Sequence, residues 1–298
     1  MKSLFKTVAL ITAFSVITRV VGFFFRIYLS RVVGAEALGM YQVAFSIFMV
    51  LTTFISSGLP LIISRMGSSF SISKQHHKEG SLVSTALLYG LTLSCILCAV
   101  VLLFRNLFAM LFTDERCLQI LIIMLPSLIF SAVYSVFRGA MWGKDNYFAL
   151  CASELYEQIV RILACVILFA GASSVIENAF NVAYSLNIAC LFSMLFVVVL
   201  FFFYGGKMSK PSRQIFKPLF KQSTPITGIR VAGSFIQPLV ALILPAKLMS
   251  IGYTSSQALS LYGIAVGMTM PLLFVPNTII GSLSVSYTHL TLPTNSRV

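Results

Sequence analysis

The residues from Thr7 to Val33, TVALITAFSVITRVVGFFFRIYLSRVV, form one long apolar run that nonetheless carries Arg19 and Arg26 in its interior. At about 1.5 Å per residue, a helix of this length reaches roughly 40 Å, enough to cross a bilayer with both arginines away from its ends. Their spacing is nearly two helical turns, so the two guanidinium groups share one face, roughly 10 Å apart along the axis. Each Arg near a bilayer centre costs about 2.5–3.5 kcal/mol, whereas each Leu, Ile, Phe or Val returns only about 0.3–0.6 kcal/mol. Two arginines cancel most of the span's apolar gain unless their face looks into a wet cavity or a bundle interior. The alternative is that they snorkel, or pair with a carboxylate as structural glue. That suits Arg31, near the end of the run, better than this pair, which sits between Val8–Ile17 and Ile27–Val33. Arg19 and Arg26 are therefore candidate contacts for an extended anion in a polar pathway.

Composition extends the membrane reading to the whole chain. Of 298 residues, 58% are hydrophobic and 10% charged, and the mean hydropathy is +0.95, far too apolar for a soluble globular domain. Lys2 and Lys6 precede the first run as in a signal peptide, but no small-residue cleavage site follows. Apolar runs near 7–33, 37–63, 81–104, 117–140, 147–170, 176–204, 225–249 and 257–284 predict an all-α bundle of eight spans.

The net charge of +13 would point to nucleic acid in a soluble protein; here it sorts by loop. With the N-terminus in the cytoplasm, Lys2, Lys6, Arg65, Lys74, Lys78, Arg138, Lys144, Lys207, Lys210, Arg213, Lys217 and Lys221 fall inside. Arg31, Arg105, Arg116 and Lys247 fall outside. The positive-inside rule thus predicts a multi-pass protein of the cytoplasmic membrane, N-terminus inside, and accounts for the basicity with no nucleic-acid partner.

Residues 205–222 read as a cytoplasmic basic linker. Ile215, Phe216, Leu219 and Phe220 within it follow the spacing of an interfacial amphipathic helix attracted to anionic membrane lipids; an ordinary solvated basic loop is the alternative.

At an offset of 221, ALGMYQVA (37–44) aligns with ALSLYGIA (258–265), and Arg26 falls on Lys247. Six spans separate the copies, so both have the same orientation, as in the parallel repeats of many transporters. Residues 1–204 then form one six-helix lobe, and 223–286 the first two helices of a second lobe that the chain does not finish. The polar, Pro-containing stretch 287–298 (YTHLTLPTNSRV) reads as a non-native tail.

Certain of these residues also resemble a known family. TRVVGFFFRIYLSRVVG (18–34), with Glu36 and LGMY (38–41), is similar to the first-helix signature of the stage V sporulation protein B family. Arg138-Gly139, GKDN (143–146) and EQIVR (157–161) are similar to that family's fourth-to-fifth helix signature. The resemblance covers roughly residues 1–286, about half the usual length of such a protein. It implies the polysaccharide and lipid-linked oligosaccharide flippase branch of the MOP superfamily, related to the lipid II flippase and, more distantly, to MATE drug exporters. Two six-helix lobes around a cavity that opens alternately to each side are what such a protein has. In the lipid II flippase, first-helix arginines are held to bind the diphosphate. Arg19 matches that motif in place; Arg26 sits one residue further along than the flippase's second arginine.

Glu154, Glu157 and Arg161, at i, i+3 and i+7, share one face of the fifth span with Gln158 beside them. Pairing of Glu157 with Arg161 would lower the membrane cost of both, leaving Glu154 as a candidate cation or proton site; structural pairing is the default. Arg230, early in the seventh span, is a third candidate substrate contact. The six cysteines lie mostly in apolar spans and read as small core residues, Cys95 and Cys98 included. His76-His77 reads as a solvated turn and not a metal site. There is no Walker motif, and no cofactor or catalytic residue is expected; the function that the resemblance implies is transport of a lipid-linked anionic saccharide across the membrane by alternating access, with a proton, sodium or the membrane potential as the driving force. The alternatives are a MATE-like organic-cation antiporter, which an arginine-lined cavity argues against, and a membrane-embedded envelope-biosynthesis enzyme.

Overall fold

A computed structural model describes residues 2–144, 146–171 and 174–273. The described residues are helical, with no strand among them. In chain order the helices are α1 (Lys2–Val32), α2 (Ala35–Ser56), α3 (Leu59–Ile72), α4 (His76–Leu103), α5 (Arg105–Leu111), α6 (Glu115–Met124) and α7 (Pro126–Trp142). There follow α8 (Tyr147–Phe169), α9 (Val175–Phe203), α10 (Arg213–Ser234), α11 (Ile236–Ser250), α12 (Ser255–Tyr262), a π-helical turn (Gly263–Thr269) and α13 (Met270–Leu273).

Several of these breaks are written locally. Ser57-Gly58 divides α2 from α3, and Pro126 divides α6 from α7 because a proline cannot continue the backbone ladder. At the second break, Asn187 of α9 accepts from the Ser127 N–H at 3.1 Å and donates to the Ile123 carbonyl. A half-buried amide thus satisfies the groups the proline disturbs. Ser174 with Glu177 and Thr254 with Gln257 form capping boxes that start α9 and α12. Gly34, at φ 83, makes the tight link from α1 to α2, a backbone region that favours glycine.

Among the described residues, six segments are long and apolar enough to cross a membrane: Leu10–Val32, Ala35–Ile72, His76–Leu103, Glu115–Trp142, Val175–Phe203 and Arg213–Ser250. The fifth expected span is present as α8, 23 residues long; Glu154, Glu157 and Arg161 lie close together within it and set it apart from those six. The expected eighth span, 257–284, begins with α12, and its end and the tail 287–298 lie outside the described residues.

The basic linker is shorter than expected, because Arg213–Gln222 already form the first turns of α10. They do not make a separate interfacial helix: Ile215 and Leu219 are buried against the protein, while Phe216 and Phe220 stay exposed. Pro238 and Pro245 lie in α11, which starts after a break at Phe235.

Helix parity gives the bundle two faces. One, the N-terminal face, carries the ends of α3, α7 and α9 and the starts of α4, α8 and α10; the opposite face carries the ends of α1, α4, α8 and α11 and the starts of α2, α6, α9 and α12. Close packing depends on small residues. On α7, Gly139 and Gly143 lie against Pro60 and Ser64 of α3, where added Cβ atoms would come within 2.8 and 2.9 Å of backbone.

The two copies of the internal repeat touch. A Cβ on Gly39 of α2 would fall 1.9 Å from the Leu259 carbonyl oxygen of α12, and one on Gly263 only 2.1 Å from that of Ala35. Gly267 sits on Leu38, and the repeat tyrosines Tyr41 and Tyr262 are both buried. Gly263 and Gly267 thus serve packing within the chain.

Candidate functional site

The side chain of Asn146 accepts from the Ala149 N–H at 3.4 Å and starts α8, which fixes the phase that places Glu154, Glu157 and Arg161 along one face. Glu157 Oε1 accepts from Arg161 Nη2 at 2.6 Å, one turn on. Glu154 is not left alone: it accepts from Arg138 Nη2 of α7. Arg138 lies a turn inside the C-terminal end of α7, and its charge is answered by Glu154. Its guanidinium stands 6.0 Å from the centroid of the Tyr134 ring, and the Tyr134 hydroxyl is 3.0 Å from Ser153 Oγ. The Glu157–Arg161 pair is the more sheltered, at 26% and 21% side-chain exposure against 42% and 37% for Glu154 and Arg138.

Helix α1 lies along α8. Phe14 meets Phe148 edge-on at 5.8 Å, and a Cβ on Gly22 would lie 3.5 Å from the Gln158 amide nitrogen. Both helices run away from the N-terminal face, so this register brings Arg19 to the depth of Glu154 and Arg26 to that of Arg161. Arg26 lies within electrostatic range of Arg161 and Tyr41. Both α1 arginines are exposed, and neither has a carboxylate within ion-pair distance among the described residues. Arg138 Nε, Arg161 Nε and Gln158 Oε1 are buried with no hydrogen-bond partner. The arrangement is a ladder of two neutralised Arg–Glu pairs beside two unneutralised arginines.

Arg230 is exposed on α10, apart from this ladder. Sequence reasoning left Arg138, Tyr134 and Gln158 without a role at the site. The available signal was Glu154, a carboxylate in a span that needs a cation at its own depth from another helix. Among the described residues, no three His, Cys, Asp or Glu side chains cluster as metal ligands. His76 and His77 are exposed, and His76 Nδ1 is 3.6 Å from Glu79.

A bundle of broken, apolar helices with charges set inside them is the fold of a multi-pass membrane protein. The chain belongs to the family described as "Polysaccharide biosynthesis protein", whose model matches residues 4–287. It is 31% identical to stage V sporulation protein B of Bacillus subtilis (strain 168) over 297 residues, covering 94% of this chain and 56% of the relative. The chain therefore spans little more than half the length of that relative. An inward-facing multidrug resistance MATE family transporter of the MOP superfamily superposes with TM-score 0.69 at 16% identity, over 90% of this chain and 62% of the other. A MOP superfamily transporter from Pyrococcus furiosus, reported with a binding pocket of reverse polarity, superposes with TM-score 0.63 at 14% identity, over 93% and 74%.

Proposed function

We propose that this chain supplies one lobe, and the opening helices of a second, of a flippase that moves a lipid-linked anionic saccharide across the cytoplasmic membrane by alternating access. The observation that carries the reading is the unequal pairing of charge. Glu154 and Glu157 are each occupied by an arginine of α7 or α8, while Arg19 and Arg26 of α1 face no carboxylate among the described residues. Arginines acting as structural glue would need those carboxylates. Left unneutralised on one helix face, the two arginines match a diphosphate, for which a guanidinium provides planar, permanently charged donors. The sugar head passes through a wet cavity while the polyprenyl tail stays in lipid, so the protein solvates only the head and needs no catalytic group.

Glu154, the more exposed carboxylate, is the candidate for coupling to a proton or sodium ion, with the membrane potential as the other driving force. Arg230 is a further candidate cation for the saccharide's charge. An organic-cation exporter needs free acidic groups in its cavity, and both carboxylates of the α8 ladder are paired. The proposed orientation has the N-terminal face in the cytoplasm, because Lys74, Lys78, Lys144, Lys207 and Lys210 gather there.

The test is translocation of a lipid-linked saccharide into proteoliposomes by a protein that carries this lobe joined to a complete second one. Arg19→Ala should lower turnover per inserted molecule at least about tenfold, and Arg19→Lys should recover only part of it. Wild-type turnover from Arg19→Ala would overturn the diphosphate clamp.

A further inference from the structure

Arg213, Lys217 and Lys221 recur at i, i+4 and i+8 along the first turns of α10, one cationic stripe on the N-terminal face. The helix is fixed there from beneath. Ile215 and Leu219 are buried, Ser81 Oγ donates to the Lys210 carbonyl at 2.8 Å, and the Ser212 N–H donates to Thr85 Oγ1 at 2.9 Å. Beside the stripe, Phe216 and Phe220 stack at 6.0 Å and meet Tyr89 of α4 edge-on at 5.8 and 5.9 Å. The two rings are held in place yet remain 41% and 45% exposed. Together with Pro225 they floor a groove of about 740 Å³ whose rim is Arg213, Lys217 and Lys221. Among the described residues none of the three cations has a carboxylate partner.

A cationic rim over an aromatic floor has the polarity of a phospholipid: one phosphate, then acyl chain. We propose that this groove binds one anionic phospholipid of the adjoining leaflet, its phosphate between Lys217 and Lys221 and an acyl chain across Phe216 and Phe220. The site is distinct from the α1 arginines, and its position gives it a consequence. Helix α10 follows the first lobe in the chain and packs on α3 and α4, so a lipid lodged there pins the joint between the lobes.

The full 298-residue chain in neutral detergent, titrated with phosphatidylglycerol or phosphatidylcholine and read by native mass spectrometry, tests this. The expected result is one phosphatidylglycerol retained per chain and no comparable retention of phosphatidylcholine. At about a fivefold contribution per lysine, Lys217→Gln/Lys221→Gln should weaken that binding about 30-fold. Lys74→Gln/Lys78→Gln, an exposed basic pair on the same face, should leave it unchanged. Equal retention by the Lys217/Lys221 variant, equal loss in both variants, or retention of phosphatidylcholine as strong as that of phosphatidylglycerol would each overturn the site.

Discussion

Gly39 and Gly263 lie backbone against backbone: a Cβ on Gly263 would stand 2.8 Å from the Gly39 nitrogen and 3.1 Å from its Cα. The contact joins the two copies of the repeat, one at the start of α2 and the other at the end of α12. Helices α2 and α12 are therefore seated on each other close to the face opposite the N-terminus. An acidic network reinforces the same end. Arg116 bridges Asp114 at 2.6 Å and Glu36 at 3.1 Å, and Ser255 of α12 reaches Asp114 at 3.4 Å.

Gly39→Val should separate α2 from α12, since the new side chain meets a carbonyl that cannot move independently of its helix. The expected loss is about 1–3 kcal/mol or more, read as a lower melting temperature in detergent. Gly228→Val, where nothing lies within 4 Å of an added Cβ, should cost only the difference in helix behaviour at an exposed site. Equal effects of the two substitutions would mean that the close crossing contributes nothing.

Breaking the Glu157–Arg161 pair from one side should cost more than removing it whole. Glu157→Gln strands a guanidinium that is 21% exposed, so its cost should be about 1–3 kcal/mol after allowance for partial screening. Glu157→Gln/Arg161→Gln should recover part of that loss. Additive single effects in thermal unfolding would show that the two residues are not coupled.

Stability should carry an acid-sensitive contribution from Asp114. Burial disfavours its carboxylate, but hydrogen bonds and charge from Arg116 outweigh this and hold its pKa below the ordinary 3.8. The contribution is therefore complete above that value and is lost as pH falls through the lowered one. Asp114→Asn keeps an N-cap and removes the charge. The wild type should melt about 2 °C higher than this variant from pH 7 down to pH 5, and the gap should close in more acid solution. A gap that persists unchanged to pH 2.5 would exclude this account.

The α1 arginines and the α8 carboxylates were legible because a charge inside an apolar run contradicts its surroundings, and helical spacing then fixes which charges share a face. The pairing of Glu154 was not legible. Its partner Arg138 sits a turn inside α7, 16 residues away in the chain on another helix, and no helical spacing links the two. Likewise, the spacing of Ile215, Phe216, Leu219 and Phe220 declared a helix with two kinds of side but was silent on which side met protein. The contact with α3 and α4 covers Ile215 and Leu219 and leaves the phenylalanines out.

Composition and period alone determined that this chain is an all-helical membrane bundle, because an apolar segment in lipid must satisfy its backbone internally. They also determined that two arginines of the first helix need a polar environment, because their burial in hydrocarbon is so costly. Only the tertiary structure decided which arginines are neutralised. That depends on α7 standing beside α8 at a depth where Arg138 reaches Glu154, and on α1 lying along α8 with Arg19 and Arg26 at levels whose carboxylates are already taken. It also decided that the repeated segments pack on each other, a contact set by backbone approach at Gly39 and Gly263, where the absence of a side chain lets two helices meet.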